Sequence, residues 1–358
     1  MKTPIGLAPM YGVTDFPTRL WFHLISGCEE MTTPFLRVTE TYPHKIPYEW
    51  APDLFDREIA EALPFNTIPQ LMASCPKRFV EAYELLKGYS SVVEINCGCP
   101  SPKVVGHGAG SSLLREVDLF KEFISYVAQA VPKGDFCVKI RTGYENTDQF
   151  YDLIHSIKNL NLKKLTIHGR TKEQKYSSYS RWDLIAEASE ICSFPVFASG
   201  DVTDLASYDK ALLAMPKVQG VIIGRGALKR PWIFNEIKEG RELICQKKSL
   251  YHSLLCYGFL IELCSQDFNF LKQLILKGVF LEPFLLDEGK WLKLRENLES
   301  LLLKEKKEVL FSKATLGRMK MMMGYLLKGV LDGLEAKPVL RAKGFSEFEK
   351  ELAKLLLS

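Results

Sequence analysis

The sequence predicts an α/β fold: a (β/α)8 TIM barrel followed by a C-terminal all-helical domain. Three observations carry that expectation. Eight short apolar, β-branched runs lie within the first 240 residues, with amphipathic segments between them. Runs of this kind, with little alternation, read as parallel strands buried on both faces. After about residue 245 the strand-like runs stop and only helical periodicities remain. A doubly wound open sheet is the competing arrangement, but eight strand–helix units in about 240 residues match a closed barrel better.

In order, the runs span residues 5–9, 33–38, 67–73, 92–96, 136–141, 164–168, 195–199 and 220–224. Stretches at 76–87, 118–130 and 182–191 place apolar residues at helical spacing and read as crossover helices. A charged, poorly periodic stretch at 239–248 marks the expected boundary, with the barrel at 1–243 and the helical domain at 244–358. Within that second part, 249–265, 290–303, 310–331 and 346–357 show apolar stripes beside charged faces. Met319, Met321, Met322 and Met323 fall on such a stripe and are expected in the core.

Composition excludes several classes. The 358 residues are 47% hydrophobic and 25% charged, which rules out disordered and fibrous chains. No apolar run is long enough to cross a membrane, and the start of the chain is too short and proline-broken for a signal peptide. Nine cysteines, an odd and modest number, fit reduced thiols in a cytoplasmic protein. The net charge of +4 is unevenly spread. Residues 241–358 hold 20 Lys+Arg against 15 Asp+Glu, while residues 1–240 hold 27 against 28. The positive excess lies wholly in the last third.

The ends of the eight runs carry the chemistry. They present Pro9-Met10, Arg37, Gln70, Asn96, Lys139 with Arg141, His168 with Arg170, Ser199-Gly200-Asp201, and Gly224-Arg225. In a barrel these C-terminal ends converge on one face, where barrel enzymes place their active sites. One polar strand end means only contact with solvent; this many, rich in cations and amides, point to a site. Glycines after the seventh and eighth runs let backbone N–H groups approach a phosphate, with Arg225 adding charge. Cys99 sits in a Gly-rich turn after the fourth run and could act as nucleophile or general acid. Cys97 beside it raises a Cys-x-Cys metal pair, but no second pair stands at metal spacing, so no metal site is expected. Lys139 could neutralise an anionic ligand or form a Schiff base. His168 could donate to a phosphate or a ring carbonyl, or be a satisfied core residue.

Asn96-Cys97-Gly98-Cys99-Pro100 resembles the Asn-x-Gly-Cys-Pro motif of the tRNA-dihydrouridine synthases. Ala8-Pro9-Met10 with Gly12-Val13-Thr14-Asp15 is similar to that family's N-terminal flavin loop. Residues 108–114 (GAGSSLL), 138–143 (VKIRTG), 167–174 (IHGRTKEQ), and 224–228 with Pro231-Trp232 also match, in order along the whole barrel. More loosely, residues 316–330 (LGRMKMMMGYLLKGV) resemble the basic helix of the family's helical domain, in a C-terminal part longer than usual.

The resemblance implies an FMN enzyme that reduces a tRNA uridine to 5,6-dihydrouridine, with NADPH as transient reductant. It implies hydride transfer to C6 and a proton from Cys99 to C5; a thiol with an ordinary pKa near about 8.5 is protonated at neutral pH. Lys139 and Gln70 would meet the flavin ring, and Pro9, Met10 and Tyr11 would line it. His168, Ser199, Gly200, Asp201, Gly224 and Arg225 would bind the ribityl phosphate or ring edge. Asn96, Arg141 and Arg170 would hold the uridine, which must leave its stack. Arg318, Lys320 and Lys328 would contact tRNA phosphates, whereas Lys304, Lys306 and Lys307 read as a solvated helix face. Ser199-Gly200-Asp201 departs from the family's Asn-Gly-Asp, losing one side-chain amide and with it some flavin affinity. Residues 35–38 (FLRV) and the Asn-Cys-Gly-Cys-Pro variant are similar to the group acting at position 16. The chain is expected to act as a monomer, away from membranes. Two other readings stay open: an FMN barrel oxidoreductase acting on a small molecule, and a tRNA-binding protein without catalysis.

Overall fold

A computed structural model describes residues 3–39, 48–303 and 311–358. Lys304, Lys306 and Lys307 lie outside the described residues. Ten β-segments form one sheet: β1 (Ile5–Leu7), β2 (Glu30–Thr32), β3 (Leu36–Val38), β4 (Asn66–Ile68), β5 (Gln70–Ala73), β6 (Val93–Cys97), β7 (Phe136–Arg141), β8 (Lys164–His168), β9 (Val196–Ser199) and β10 (Gly220–Ile223). Every pairing is parallel.

The ten segments make eight barrel strands. β2 pairs with β4, and β3 pairs with β5, so β2/β3 and β4/β5 are each one strand broken in the middle. The breaks fall at residues 33–35 and at Pro69; Pro34 and Pro69 have no N–H for a ladder. Thr33 mends both gaps, its N–H donating to Ile68 O at 2.9 Å and its Oγ1 accepting from Gln70 N–H at 2.9 Å. β1 pairs with β2 on one side and β10 on the other, which closes the ring. The expected continuous runs at 33–38 and 67–73 are corrected to these interrupted strands; the other six lie within a residue or two of expectation.

The interior of the barrel is more polar than its runs suggested. Side chains alternate across a strand, and the register sets Glu94 beside Cys137, Asn96 beside Lys139, Arg141 beside His168, and His168 beside Ser199. Leu7, Ile95, Val138, Ile167, Ala198 and Val221 join the large core shared with the surrounding helices. Among the described residues the opposite face holds two small apolar groups, Ala8 with Phe197 and Ile222, and Met72 with Val104 and Ala109. The rest of that face carries ionic and amide groups.

After helix Ile233–Glu239 the described chain is helical. Helix Lys247–Gln266 is buried along most of its length and packs on Phe16–Ser26, Glu288–Leu303 and Phe345–Leu357. Trp21 Nε1 donates to Ser253 O at 3.1 Å, and one continuous hydrophobic cluster runs through barrel helices and C-terminal helices alike. Gly258 lets helix Lys313–Leu326 approach, since a Cβ there would stand 2.5 Å from Phe311 and 2.6 Å from Met319. Met319, Met322 and Met323 are fully buried in that seam and Met321 half-buried. No helix of the described residues is long and apolar enough to cross a membrane.

Candidate active site

A cavity of about 590 Å³ opens where the C-terminal strand ends converge. Pro9, Met10 and Tyr11 line it after β1, Cys99 after β6, Lys139 and Arg141 on β7, His168 on β8, Ser199-Gly200-Asp201 at the end of β9, and Gly224-Arg225 after β10. Strand parity turns Lys139, Arg141, His168 and Ser199 inward, and the loops that leave the strand tops bring in the rest.

Cys99 is half-buried on the wall. Burial pushes its thiol up, against weaker pulls from the Ser101 backbone and Arg141, so the protonated form is favoured. Cys97 is fully buried on β6 and does not line the cavity, so the Cys-x-Cys spacing does not present a pair to it. Among the described residues no group of three or more His, Cys, Asp or Glu is placed to hold a metal.

Burial depresses the Lys139 ammonium to about 8, with Arg141 adding to the shift and Glu94 opposing it. Among the described residues its Nζ closes no hydrogen bond or ion pair, so a half-buried cation on the cavity wall is left for an anionic ligand. Burial, with Arg141, Lys139, Arg170 and Arg225 nearby, holds His168 well below its ordinary value. The imidazole is therefore neutral, and its Nδ1 has no partner among the described residues.

The loops after β9 and β10 press together. A Cβ on Gly226 would lie 2.0 Å from Val202 O, and Gly200 has φ 114°, so both positions require glycine. Among the described residues, the N–H groups of Gly200, Asp201, Arg225 and Gly226 close no hydrogen bond. They are donors suited to an anion. Arg225 lies over the Tyr176 ring at 3.7 Å from its centroid.

Several expected ligand contacts are engaged inside the protein. Gln70 is fully buried and does not line the cavity; its Nε2 donates to Glu94 and its Oε1 accepts from Asn96. Its amide lies beneath the cavity floor. Asn96 reaches the cavity, but its Oδ1 accepts from the Gly98 and Cys99 N–H groups. Arg141 donates from Nε to Gly98 O at 2.7 Å and from Nη1 to Thr171 O at 3.0 Å, tying two loops together. Arg170 donates to Ser178 O and Asp201, and Asp201 also accepts from Ser180 N–H at 2.6 Å. Asp201 is thus a loop brace facing the cavity rim.

In the helical region the Arg318 side chain is 23% exposed and largely engaged inside the protein: it forms a two-point pair with Asp15 and donates to Val13 O, Thr18 Oγ1 and Tyr257 OH. Lys320 Nζ donates to Ala342 O. Both cations thus have partners within the protein. Lys328 closes no side-chain hydrogen bond among the described residues and remains available.

Sequence reasoning passed over Tyr176, Lys229 and Tyr325, which line the cavity together with Phe35 of the 35–38 stretch. Tyr11 stacks on Phe35 at 4.9 Å and 17°. Tyr176 stands six residues beyond Arg170, in a stretch whose composition marks a loop, so an aromatic there was a signal. Tyr325 lies on helix Lys313–Leu326, and no local pattern ties it to a strand end; Val330 N–H donating to Lys229 O at 3.1 Å docks that segment beside β10.

The family model described as dihydrouridine synthase (Dus) matches residues 6–311. A tRNA-dihydrouridine(16) synthase of Pasteurella multocida is 32% identical over 237 residues, covering 65% of this chain and 75% of that protein. The tRNA-dihydrouridine synthase B of Pseudomonas putida is 34% identical over 244 residues, covering 66% and 68%. The tRNA-dihydrouridine(16) synthase of Escherichia coli K12 is 31% identical over 238 residues, covering 65% and 74%. Among solved structures, morphinone reductase aligns at a TM-score of 0.47 and 10% identity over 67% of this chain and 86% of that one, too distant to bear on function. With a match running through every strand of the barrel and the Cys99 loop, this chain belongs to the dihydrouridine synthase family.

Proposed function

We propose that this protein is a tRNA-dihydrouridine synthase that reduces the C5=C6 bond of a D-loop uridine, at position 16, using FMN and NADPH. The observation that carries the reading is the meeting in one cavity of a protonated thiol, Cys99, with a half-buried cation, Lys139, that has no partner among the described residues. Saturating a C=C bond conjugated to a carbonyl needs a hydride donor and a separately placed acid.

The residues fit FMN. Unpaired N–H groups at Gly200, Arg225 and Gly226, with the Arg225 side chain, suit its phosphate. Lys139, neutral His168, Ser199, Gly224 and the Pro9-Met10-Tyr11 stretch would hold its ring and ribityl chain. When bound and recharged by NADPH, the flavin supplies the hydride for C6 of the uracil. Lys139 favours negative charge beside it. Cys99 holds a proton on Sγ for C5, and Arg141 and Asn96 hold the loop that aims it. The uridine must swing out of its stack, and Tyr11, Phe35 and Tyr176 give the cavity aromatic faces for it and its neighbours. In this reading residues 1–243 are the catalytic unit, and residues 244–358 grip tRNA, with Lys328 as one phosphate contact. The protein would act as a cytoplasmic monomer.

The test is to incubate the purified protein with FMN, NADPH and unmodified tRNA and to map dihydrouridine by mass spectrometry of nuclease fragments. Product at position 16 supports the full reading, and product elsewhere overturns the position alone. Flavin turnover without tRNA dependence would favour a small-molecule oxidoreductase. Cys99→Ala should stop turnover with FMN still bound; full activity in that variant would remove Cys99 as the acid.

A further inference from the structure

Beneath the cavity floor the hydrogen bonds form a directed chain. Glu94 Oε1 accepts from Gln70 Nε2 at 2.6 Å, and Gln70 Oε1 accepts from Asn96 Nδ2 at 2.8 Å. Asn96 Oδ1 then accepts from the N–H groups of Gly98 and Cys99, each at 3.0 Å. All three side chains are buried, with Gln70 at 0%, Glu94 at 2% and Asn96 at 9% exposure. Strand register explains the meeting: Gln70 stands beside Glu94 across the β5–β6 pair, and Asn96 follows Glu94 by one inward-facing step.

The direction of such a chain is set from its ends. A primary amide has one donating and one accepting end, so fixing one end fixes the other, and a carboxylate can only accept. At the far end the Gly98 and Cys99 N–H groups can only donate, so Glu94 Oε1 must accept and Gln70 must present its NH2 group to it. That turns the Gln70 carbonyl to Asn96, which must answer with its own NH2 and leave its carbonyl for the Cys99 loop. Reversed, the chain would set a carbonyl against the carboxylate and an NH2 group against two backbone N–H donors, leaving buried polar groups unpaired. Glu94 itself does not line the cavity. Burial raises its pKa, and Lys164 and Lys139 oppose that rise.

We infer that Glu94 is a positioning residue: through Gln70 and Asn96 it sets the amide direction that holds the Cys99 loop in register with the substrate. The inference rests on the proposed role of Cys99 as proton donor. Its test uses the holoenzyme and four single variants, Glu94→Leu, Gln70→Leu, Glu94→Gln and Asn96→Ala, with the double variant Glu94→Leu/Asn96→Ala. Three rates are read: NADPH-driven flavin reduction, flavin reoxidation by tRNA, and alkylation of Cys99 by iodoacetamide, followed in its tryptic peptide.

Losing the loop's register by a fraction of an ångström should slow reoxidation by tRNA roughly 10–100-fold in Glu94→Leu and Gln70→Leu. Both should change Cys99 alkylation in the same sense, and Glu94→Leu should leave flavin reduction by NADPH much less affected. Glu94→Gln keeps an acceptor and should recover most of the loss. Residues acting through one chain are not additive, so Glu94→Leu should add little to Asn96→Ala. Fully multiplicative losses, or equal slowing of both flavin half-reactions, would overturn the inference. If Glu94→Leu does not fold, Gln70→Leu breaks the same chain without removing a charge. A wild-type protein that reduces no uridine refutes the proposed function; the alkylation pattern then still decides whether the chain holds the Cys99 loop.

Discussion

Replacing Arg318 by Met should destabilise the protein while leaving the salt dependence of tRNA binding unchanged. The guanidinium is 23% exposed and its partner Asp15 is 37% exposed. Its contacts are one two-point carboxylate pair and donations to Val13 O at 3.1 Å, Thr18 Oγ1 at 2.8 Å and Tyr257 OH at 3.0 Å. Breaking a fully buried pair costs about 3–5 kcal/mol, and an exposed one at most about 1. The half-open site lies between, and Tyr257 OH keeps its hydrogen bond to Thr18, so about 2 kcal/mol is expected. At roughly 2–4 °C per kcal/mol for a large domain, Tm should fall by about 4–8 °C. Asp15 caps helix Phe16–Ser26, and Val13 closes the turn after Met10, so the loss should also loosen the cavity wall at Pro9-Met10-Tyr11. The assay is a thermal melt followed by circular dichroism, paired with tRNA affinity over a range of salt. A phosphate contact would lower the slope of log K against log salt by about 1. An unchanged Tm with a lowered slope would refute the reasoning and restore Arg318 to the RNA surface.

The remaining predictions concern the barrel. Lys139 is charged below pH about 8 and neutral above it, whereas an unfolded lysine stays charged to about 10.4. Its burial as a cation therefore costs the flavin-free protein stability below pH 8, a cost that fades as pH rises from about 8 to 10.5. Lys139→Met should raise the flavin-free Tm at pH 7 and leave it nearly unchanged at pH 10.5, while weakening FMN binding; a fluorescence melt and a flavin titration check both. Asp53 accepts from Arg19 Nε at 2.8 Å and Thr67 Oγ1 at 2.7 Å, with the ion pair fully buried. Asp53→Ala should cost about 3–5 kcal/mol in a urea titration by stranding the guanidinium. Ser199→Asn should tighten FMN about 3–10-fold, the worth of one added hydrogen bond, measured by quenching of flavin fluorescence.

Some features were readable locally because they are periodic. Strands 136–141 and 164–168 and helix 182–191 begin and end where the sequence patterns do. The breaks in the second and third barrel strands also had a local sign, Pro34 and Pro69, since a residue without an N–H interrupts a ladder. The polar strand ends did mark the cavity, and the Cys99 loop lies on its wall. The fate of each polar group was harder. The resemblance implies ligand contacts for Gln70, Asn96 and Arg318, and the fold also ties them to Glu94, to the Cys99 loop and to Asp15.

The boundary follows from how each property is encoded. Strand and helix signals, the strand-end motif around Cys99 and the basic excess of the last third are contained in short stretches of chain, so residue order alone specifies them. Partnership is not. A guanidinium reaches an Asp15 carboxylate 303 positions away because helix Lys313–Leu326 packs against Phe16–Ser26 through Tyr257. Tyr325 joins the cavity through the same packing. A positive excess counted along the chain gives the charge available, but only folding determines which cations are neutralised inside and which, like Lys328, stay exposed.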